Sequence, residues 1–313
     1  MKILFTADLH IKLGQKNVPV LWAKDRYKML FIELERLQKE CDLFVIGGDV
    51  FDRMPSIEEI ELFFILIHKC NIKTIIYSGN HEAVKKNTTF LSNLKSIVSA
   101  VNSNVTVIDD FYTLDNIDFI PYNKLKEVYP KFHGDILCTH VRGEIPPHVK
   151  PEVDLSLFDR WKVVLAGDLH SHDNSQRNIL YPGSPITTSF HRGKVDTGVI
   201  IIASDTLDFR WVKLDLPQLI RKSIKAGEDM PATKYDHTIY EIEGDISELG
   251  SIQDNELIDK KVVKRDLDTA LILSPQMTLE EEVNEYLKYI MQLNDDTVKD
   301  ILLELNNYAD KLI

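Results

Sequence analysis

An α/β fold of two face-to-face sheets with helices outside, carrying a small α+β cap and two C-terminal helices, is what this sequence predicts. Three observations lead there. Apolar strand-like runs alternate with amphipathic helical runs over residues 1–100, strand-like runs then follow closely to about Leu216, and the composition turns polar beyond it. Five of the apolar runs also share an ending in Asp, Asn or His: ILFTADLH (3–10), LFVIGGD (43–49), TIIYSGNH (74–81), DILCTH (135–140) and VVLAGDLHSH (163–172).

After the first strand, LGQKN (13–17) reads as a loop, and Asp25 to Glu40 as a helix with Tyr27, Leu30, Phe31, Leu34 and Leu37 on one face. The second strand, LFVIGGD, passes through FDRMPS to a helix over about Ser56 to His68. Ser56 is its N-cap, and Glu58 and Glu59 favour the first turn. The strand ending at Gly79-Asn80-His81 precedes a helix over about Thr88 to Ala100. VTVID, NIDFIP, DILCTH, WKVVLAGD, NILYPGS, TGVIIIAS and TLDFRWVKL then read as strands with short connections, which predicts a largely antiparallel second half.

Residues 1–215 thus form the expected main domain. In 216–277, HTIYEIEGD (237–245) and KKVVKRDLD (260–268) read as two strands around a short helix, too little core to stand alone and suited to a cap. Residues 278–313 read as two helices around LNDD (293–296). Leu279, Val283, Tyr286, Leu287 and Ile290 stripe the first; Val298, Ile301, Leu302, Leu305 and Leu312 stripe the second.

A chain of 313 residues, 44% hydrophobic and 27% charged, can build a large core. No apolar run approaches the ~20 residues of a membrane span, and Asp8 interrupts the N-terminus too early for a signal peptide. Cys41, Cys70 and Cys138 are odd in number without CxxC spacing, which predicts reduced thiols and a cytoplasmic location. The net charge of −12 weighs against a nucleic-acid partner, because phosphate binding is driven by Lys and Arg; bound dications and a local basic rim would offset it.

In open α/β sheets, ligands gather beyond the carboxyl ends of the strands, so the five endings can converge. Alternate residues of an extended chain point the same way, which pairs Asp8 with His10 and Asp168 with His170. Carboxylate, amide and imidazole donors together suit two Mn-, Fe- or Zn-like ions. Two close dications lower the pKa of a shared water and clamp a phosphoryl oxygen. Asp49 is the expected bridging carboxylate; Asp8, His10 and His170 would complete one ion's ligands, and Asn80, His140 and Asp168 the other's. His81 is placed to protonate a leaving oxygen or to hold a phosphate oxygen; the alternative is a capping or core imidazole. Arg53, Arg142, Arg177, Arg192 and Lys194 fall in loops at the active edge, and Arg53 and Arg192 are the preferred contacts for substrate phosphates; a solvated surface is the alternative for each.

ADLHIKLG (7–14), GGDVFDRMPS (47–56), SGNHE (78–82) and the strand-end His140 resemble the calcineurin-like metallophosphoesterases, and within them the SbcD-type nuclease subunits. YPGSPITTSFHR (181–192) resembles the Gly-Ser segment that follows the last ligands in that group. The resemblance implies a manganese-dependent DNA phosphodiesterase, with Mg2+ as the other candidate ion. It implies exonuclease action on duplex ends with single-strand endonuclease activity, in recombination, repair or replication. It further implies a cap that helps select DNA, C-terminal helices that dock on an SbcC-type coiled-coil ATPase, a homodimer within that complex, and a bacterial or phage-infected host cytoplasm. One departure stands out: the family usually reads GHxH where this chain has GDLH (167–170), so Asp168 replaces a histidine, with His172 as a register-shifted alternative. Two other classes compete: a phosphoesterase acting on nucleotides or phosphoproteins, which the acidic balance favours, and a scaffold that has lost catalysis.

Overall fold

The computed structural model describes residues 1–85, 88–263, 277–291 and 293–309. The expected 264–268 part of the last cap strand and Leu312 lie outside them. By their contacts the residues form two units: Met1–Ile242 with Gln253–Lys261, and Glu243–Ile252 with Val262–Ile313. Residues 216–242 and 253–261, expected within the cap, therefore group with the first unit.

The first unit opens with β1 (Lys2–Thr6), α1 (Val20–Gln38), β2 (Leu43–Gly47), α2 (Ile57–His68) and β3 (Lys73–Tyr77). A ribbon of β4 (Ala83–Lys85) and β5 (Thr88–Thr89) leads into α3 (Phe90–Val101) and β6 (Val105–Val107). Helix α1 starts earlier than its apolar face suggests, directly after Pro19. Helix α2 is set by its cap: the Ser56 hydroxyl accepts from Glu59 N, and the Glu59 carboxylate accepts from Ser56 N.

β7 (Tyr112–Leu114), β8 (Ile117–Ile120), β9 (Ile136–His140), β10 (Val163–Gly167) and β11 (Ile179–Leu180) follow, then β12 (Gly198–Ala203) and β13 (Phe209–Lys213). The first sheet runs β13-β12-β1-β2-β3-β6, with β1, β2, β3 and β6 parallel and β12 and β13 antiparallel to their neighbours. The second runs β11-β10-β9-β8-β7. Here the expectation of a largely antiparallel arrangement is corrected: β8, β9, β10 and β11 are parallel, and only β7 opposes its neighbour. Parallel neighbours need a crossover of a dozen or so residues. Segments 121–135, 141–162 and 168–178 supply it as loops and short 3-10 turns, with no long helix to betray them in the sequence.

Strand alternation sorts the core into layers. Leu4, Phe44, Ile46 and Ile76 face α1, α2 and α3, packing with Leu30, Phe31, Phe63 and Leu94. Ile3, Phe5, Leu43, Val45, Ile75 and Tyr77 face the second sheet and meet Phe119, Ile136, Cys138 and Leu165. The far face of the second sheet, with Leu137, Val164 and Ala166, is covered by Phe132, Phe158, Trp161 and Tyr181, which come from loops, short turns and the segment after β11. The carboxyl ends of β1, β2, β3, β9 and β10 all belong to this buried sandwich.

A third sheet joins β14 (Leu219–Lys225), which the sequence reading did not contain, to β15 (His237–Gly244) and β16 (Ile258–Val263), in the order β14-β15-β16. In the second unit, α4 (Ile246–Ser251) carries a capping box at Asp245. α5 (Leu279–Glu285), continued by a π turn over Tyr286–Ile290, and α6 (Asp295–Ala309) match the two expected runs. Leu287 and Val298 are buried, whereas Leu279, Tyr286 and Ile301 are exposed.

Candidate metal centre and active site

The strand ends are bent into place by unusual backbone. Asp8, His10, Asp49 and Asp168 all have positive φ, at 56°, 45°, 49° and 103°, as does Gly48 at 92°. Non-glycine residues rarely adopt such angles, at a cost of about 1–3 kcal/mol each, and they collect at functional sites. Each turn brings its side chain back over the sheet end.

Three donor groups result: Asp8, His10 and His170; His10, Asp49 and His81; and Asp8, Asp49 and His140, each with ligand atoms within 4.8 Å of one another. Asp49 Oδ2 lies centrally, 3.6 Å from His10 Nε2 and 3.5 Å from His140 Nε2. His10 Nε2 faces His170 Nε2 at 3.1 Å. His140 Nδ1 meets the Gly47 carbonyl at 2.9 Å, which fixes the tautomer and leaves Nε2 for the site. The other nitrogen of His170, Nδ1, meets Thr188 Oγ1 at 3.1 Å.

Asn80 provides a test of whether these residues fit a cation. Its Oδ1 lies 3.0 Å from His140 Nε2 and faces Asp49; with the amide reversed, its N–H2 would donate to those same lone pairs. As it stands, the Asn80 oxygen faces the two Asp49 oxygens, an acceptor-against-acceptor contact that wants either an N–H group or a cation. Mixed imidazole, carboxylate and amide donors fit a first-row dication.

Electrostatics of the bare protein agree. Burial pushes the Asp8 carboxyl up to about 8, against a charged His140 and with the repulsion of Asp49. Burial likewise lowers His10 to about 3, although Asp49 pulls the other way. At His140 burial is outweighed by Asp49, Asp8 and Asp168, which raise the imidazole to about 10. Burial also opposes ionisation of Asp49, yet His140 and His10 hold its carboxyl well below the usual range. Protons therefore occupy part of the space where positive charge is wanted.

His81 stands at the mouth, its side chain 38% exposed, with Nε2 3.8 Å from Asp49 Oδ2. Its ring Nδ1 is 2.6 Å from the Asp52 carbonyl, and its backbone N–H donates to Asp49 Oδ1 at 3.0 Å. Asp168 is placed differently from the other expected ligands. It lies in none of the three donor groups; its N–H donates to the Asp8 carboxylate, and both its oxygens accept from Arg142. His172 is turned away, with Nδ1 2.6 Å from the Tyr181 carbonyl and the ring stacked on Trp211. Arg53 reaches Glu59 at 3.5 Å and Arg192 reaches Glu241 at 3.6 Å, both side chains well exposed.

Two residues went unassigned in the sequence reading. Buried Glu82 accepts from Asp49 N, Phe51 N and Gly79 N, tying the β2 and β3 ends together. Asp52 meets Lys12 at 2.8 Å and His10 Nδ1 at 3.6 Å. The signal for both was adjacency, Glu82 following GNH and Asp52 closing GDVFD.

Among the described residues no helix is long and apolar enough to cross a membrane. Comparison with known proteins finds the model of the calcineurin-like phosphoesterases matching residues 1–203. A protein named "Probable exonuclease subunit 1" of Escherichia phage T5 is 42% identical over 321 residues, covering 99% of both chains. A protein named "Putative phosphoesterase 244L" of Invertebrate iridescent virus 6 is 25% identical over 254 residues, covering 72% of this chain and 86% of its own. Among solved structures, an archaeal phosphodiesterase covers 68% of this chain and 100% of its own, at 15% identity and a TM-score of 0.39. With a family match over most of its length and a donor cluster at the strand ends, this chain belongs to the calcineurin-like phosphoesterases, enzymes that work with divalent metal ions.

Proposed function

We propose that the chain is the nuclease subunit of an SbcCD-like complex, a phosphodiesterase that digests DNA from duplex ends, with single-strand endonuclease activity, in recombination, repair or replication. The observation that carries this reading is the full-length similarity to the phage T5 protein named as an exonuclease subunit, joined to a donor cluster of phosphoesterase type. Asp8, His10, Asp49 and His170 would hold one ion, and Asp49, Asn80 and His140 the other, with Mn2+ preferred and Mg2+ as the alternative. Bound there, the ions supply an activated water and positive charge at the phosphoryl oxygens.

The chain's own groups do the remainder. Asp49, within reach of both His10 and His140, would set the spacing between the two halves. The short contact between His81 Nδ1 and the Asp52 carbonyl fixes the ring and turns Nε2 toward the cleft, from which a proton can be delivered to the leaving oxygen. Arg53 and Arg192 would receive DNA phosphates at the rim. The phosphoesterase body would correspond to 1–215, a DNA-selecting cap to 216–277 and a docking segment for an SbcC-type ATPase to 278–313. A homodimer within that complex and a bacterial or phage-infected host cytoplasm complete the reading.

The net charge of −12 and the viral relative described as a phosphoesterase favour a second reading, hydrolysis of nucleotides or phosphoproteins. Purified protein with Mn2+ is incubated with end-labelled linear duplex, with covalently closed duplex, and with a nucleoside monophosphate. Release of label from the linear duplex, absent in Asp49→Ala, is the expected result. Hydrolysis of the monophosphate alone would overturn the nuclease reading.

A further inference from the structure

We propose that Asp168 is not a metal ligand but the anchor of Arg142, and that Arg142 is the substrate-positioning cation of this site, holding a non-bridging oxygen of the scissile phosphodiester. The proposal rests on the phosphodiesterase reading above and deepens it. Arg142 Nε donates to Asp168 Oδ2 at 3.0 Å and Nη2 to Asp168 Oδ1 at 3.2 Å, the side-on bidentate pairing of a guanidinium with a carboxylate. Both Asp168 oxygens are therefore engaged, and Asp168 stands outside every donor group. The two partners are unequal in exposure: the Asp168 side chain is 5% exposed and that of Arg142 is 42% exposed. A buried carboxylate thus grips one edge of the fork, and Nη1, on the other edge of a side chain that is nearly half exposed, has no hydrogen bond to the described residues.

Location supports the assignment. Arg142 follows His140 by two residues, and Asp168 Oδ1 is 4.0 Å from His140 Nε2, so the guanidinium is fixed one side chain away from the donor cluster. Its backbone is fixed as well: Arg142 N donates to Glu152 Oε1 at 3.2 Å, and the Tyr122 hydroxyl donates to Glu152 Oε2 at 3.0 Å. An arginine immobilised at both ends loses little freedom when it takes up a phosphate oxygen. Charge points the same way. Paired with Arg142, Asp168 adds no net charge, so among the donor groups only Asp8 and Asp49 would oppose two bound dications, leaving those groups positive toward an anionic diester. Arg53 and Arg192, the arginines preferred from sequence, lack such an anchor, meeting their carboxylates only at 3.5 and 3.6 Å.

The test uses the full chain loaded with Mn2+, with bis(p-nitrophenyl) phosphate as substrate and metal per chain read by mass spectrometry. Arg142→Ala, Arg142→Lys, Asp168→Ala and the Arg142→Ala/Asp168→Ala double variant are compared. Arg142→Ala is expected to raise KM about 10- to 100-fold, the loss of a charge-assisted hydrogen-bond pair, while keeping the wild-type metal content. Arg142→Lys should recover part of that loss, since a point charge remains without the fork. Asp168→Ala, which leaves no donor atom at this position, should keep both ions and raise KM less than Arg142→Ala, and the double variant should be no worse than Arg142→Ala. If Asp168→Ala loses an ion while Arg142→Ala keeps the wild-type complement, Asp168 is a ligand and the proposal falls. An unchanged KM in Arg142→Ala overturns the role of the arginine. A wild type that binds two ions but cleaves no phosphodiester refutes the underlying reading instead, and the metal content of Asp168→Ala still decides the ligand question.

Discussion

Gly79 is where a single carbon atom should disable the site. A Cβ built there lies 2.1 Å from Asp49 Oδ1, 2.5 Å from Asp49 N and 2.7 Å from His140 Cε1, where contacts below 3.0 Å essentially do not occur. To reach 3.0 Å the Asp49 carboxylate must withdraw by roughly 0.9 Å, a shift of the size that costs ~10²-fold in rate when it misplaces reacting groups. The backbone has little room to give way instead, because Glu82 Oε2 accepts from both Gly79 N at 2.8 Å and Asp49 N at 3.2 Å. Overpacking of this kind also costs about 1–3 kcal/mol of stability. Gly79→Ala is therefore expected to lower Mn2+-dependent hydrolysis of bis(p-nitrophenyl) phosphate by ~10²-fold or more, with reduced metal content and a lower Tm. Gly193→Ala is the matched control, since nothing lies within 4 Å of its added carbon. Wild-type turnover and metal content in Gly79→Ala would refute the placement of Asp49 at the centre of the site.

His81→Ala should lower kcat by ~10²-fold or more while sparing metal content if, as proposed, its imidazole delivers a proton; metal lost in proportion to activity would make it a ligand through the His10, Asp49 and His81 group or a structural residue. Metal affinity should rise with pH. In the bare protein burial holds a proton on Asp8 up to about 8, and at His140 the carboxylates outweigh burial and hold one to about 10, so each ion must displace protons that become scarcer as pH rises. Titration of the apoprotein with Mn2+ at several pH values checks this, and a flat profile would contradict it. On the proposed reading, deleting Thr278 to Ile313 should spare the small diester but remove ATP-stimulated digestion of duplex DNA by the proposed complex, the exposed Leu279, Tyr286 and Ile301 being the residues that would meet the ATPase. A truncated protein that melts markedly lower would assign those helices to the chain's own core.

The donor types were legible in the sequence because each follows an apolar strand, and strand ends in an α/β fold share one edge. That grouped Asp8, His10, Asp49, Asn80, His140, Asp168 and His170 as one expected set; the structure brings Asp8, His10, Asp49, His140 and His170 into the donor groups, sets Asn80 against His140, and pairs Asp168 with Arg142. Their partners were not legible, because the pairings join residues distant in sequence: Glu82 to Asp49 and Phe51, Arg142 to Asp168, His81 to the Asp52 carbonyl. The parallel second sheet escaped for a related reason. Its crossovers over 121–135, 141–162 and 168–178 lack helical periodicity, so strands in close succession looked like hairpins. Strand β14 escaped because LIRKSIK is mostly exposed beyond its first two residues and carries little apolar pattern.

The acidic total, the strongest sequence-level objection to a nucleic-acid substrate, loses force once each carboxylate at the site is followed to its partner. Lys12 engages Asp52, Arg142 engages Asp168, and three backbone N–H groups surround Glu82. Asp8 and Asp49 remain, and these are the only carboxylates in the three donor groups that could hold a cation. Net charge acts on solubility and on long-range encounter, over which salt screens beyond about 8 Å at physiological ionic strength. On the proposed reading, a phosphodiester within the cleft would instead meet the nearest groups: the ion positions, the His81 ring and the Arg142 fork. The carboxylates that make this chain acidic thus include those that fix its cations in place, and removing them would weaken the binding of an anionic substrate rather than strengthen it.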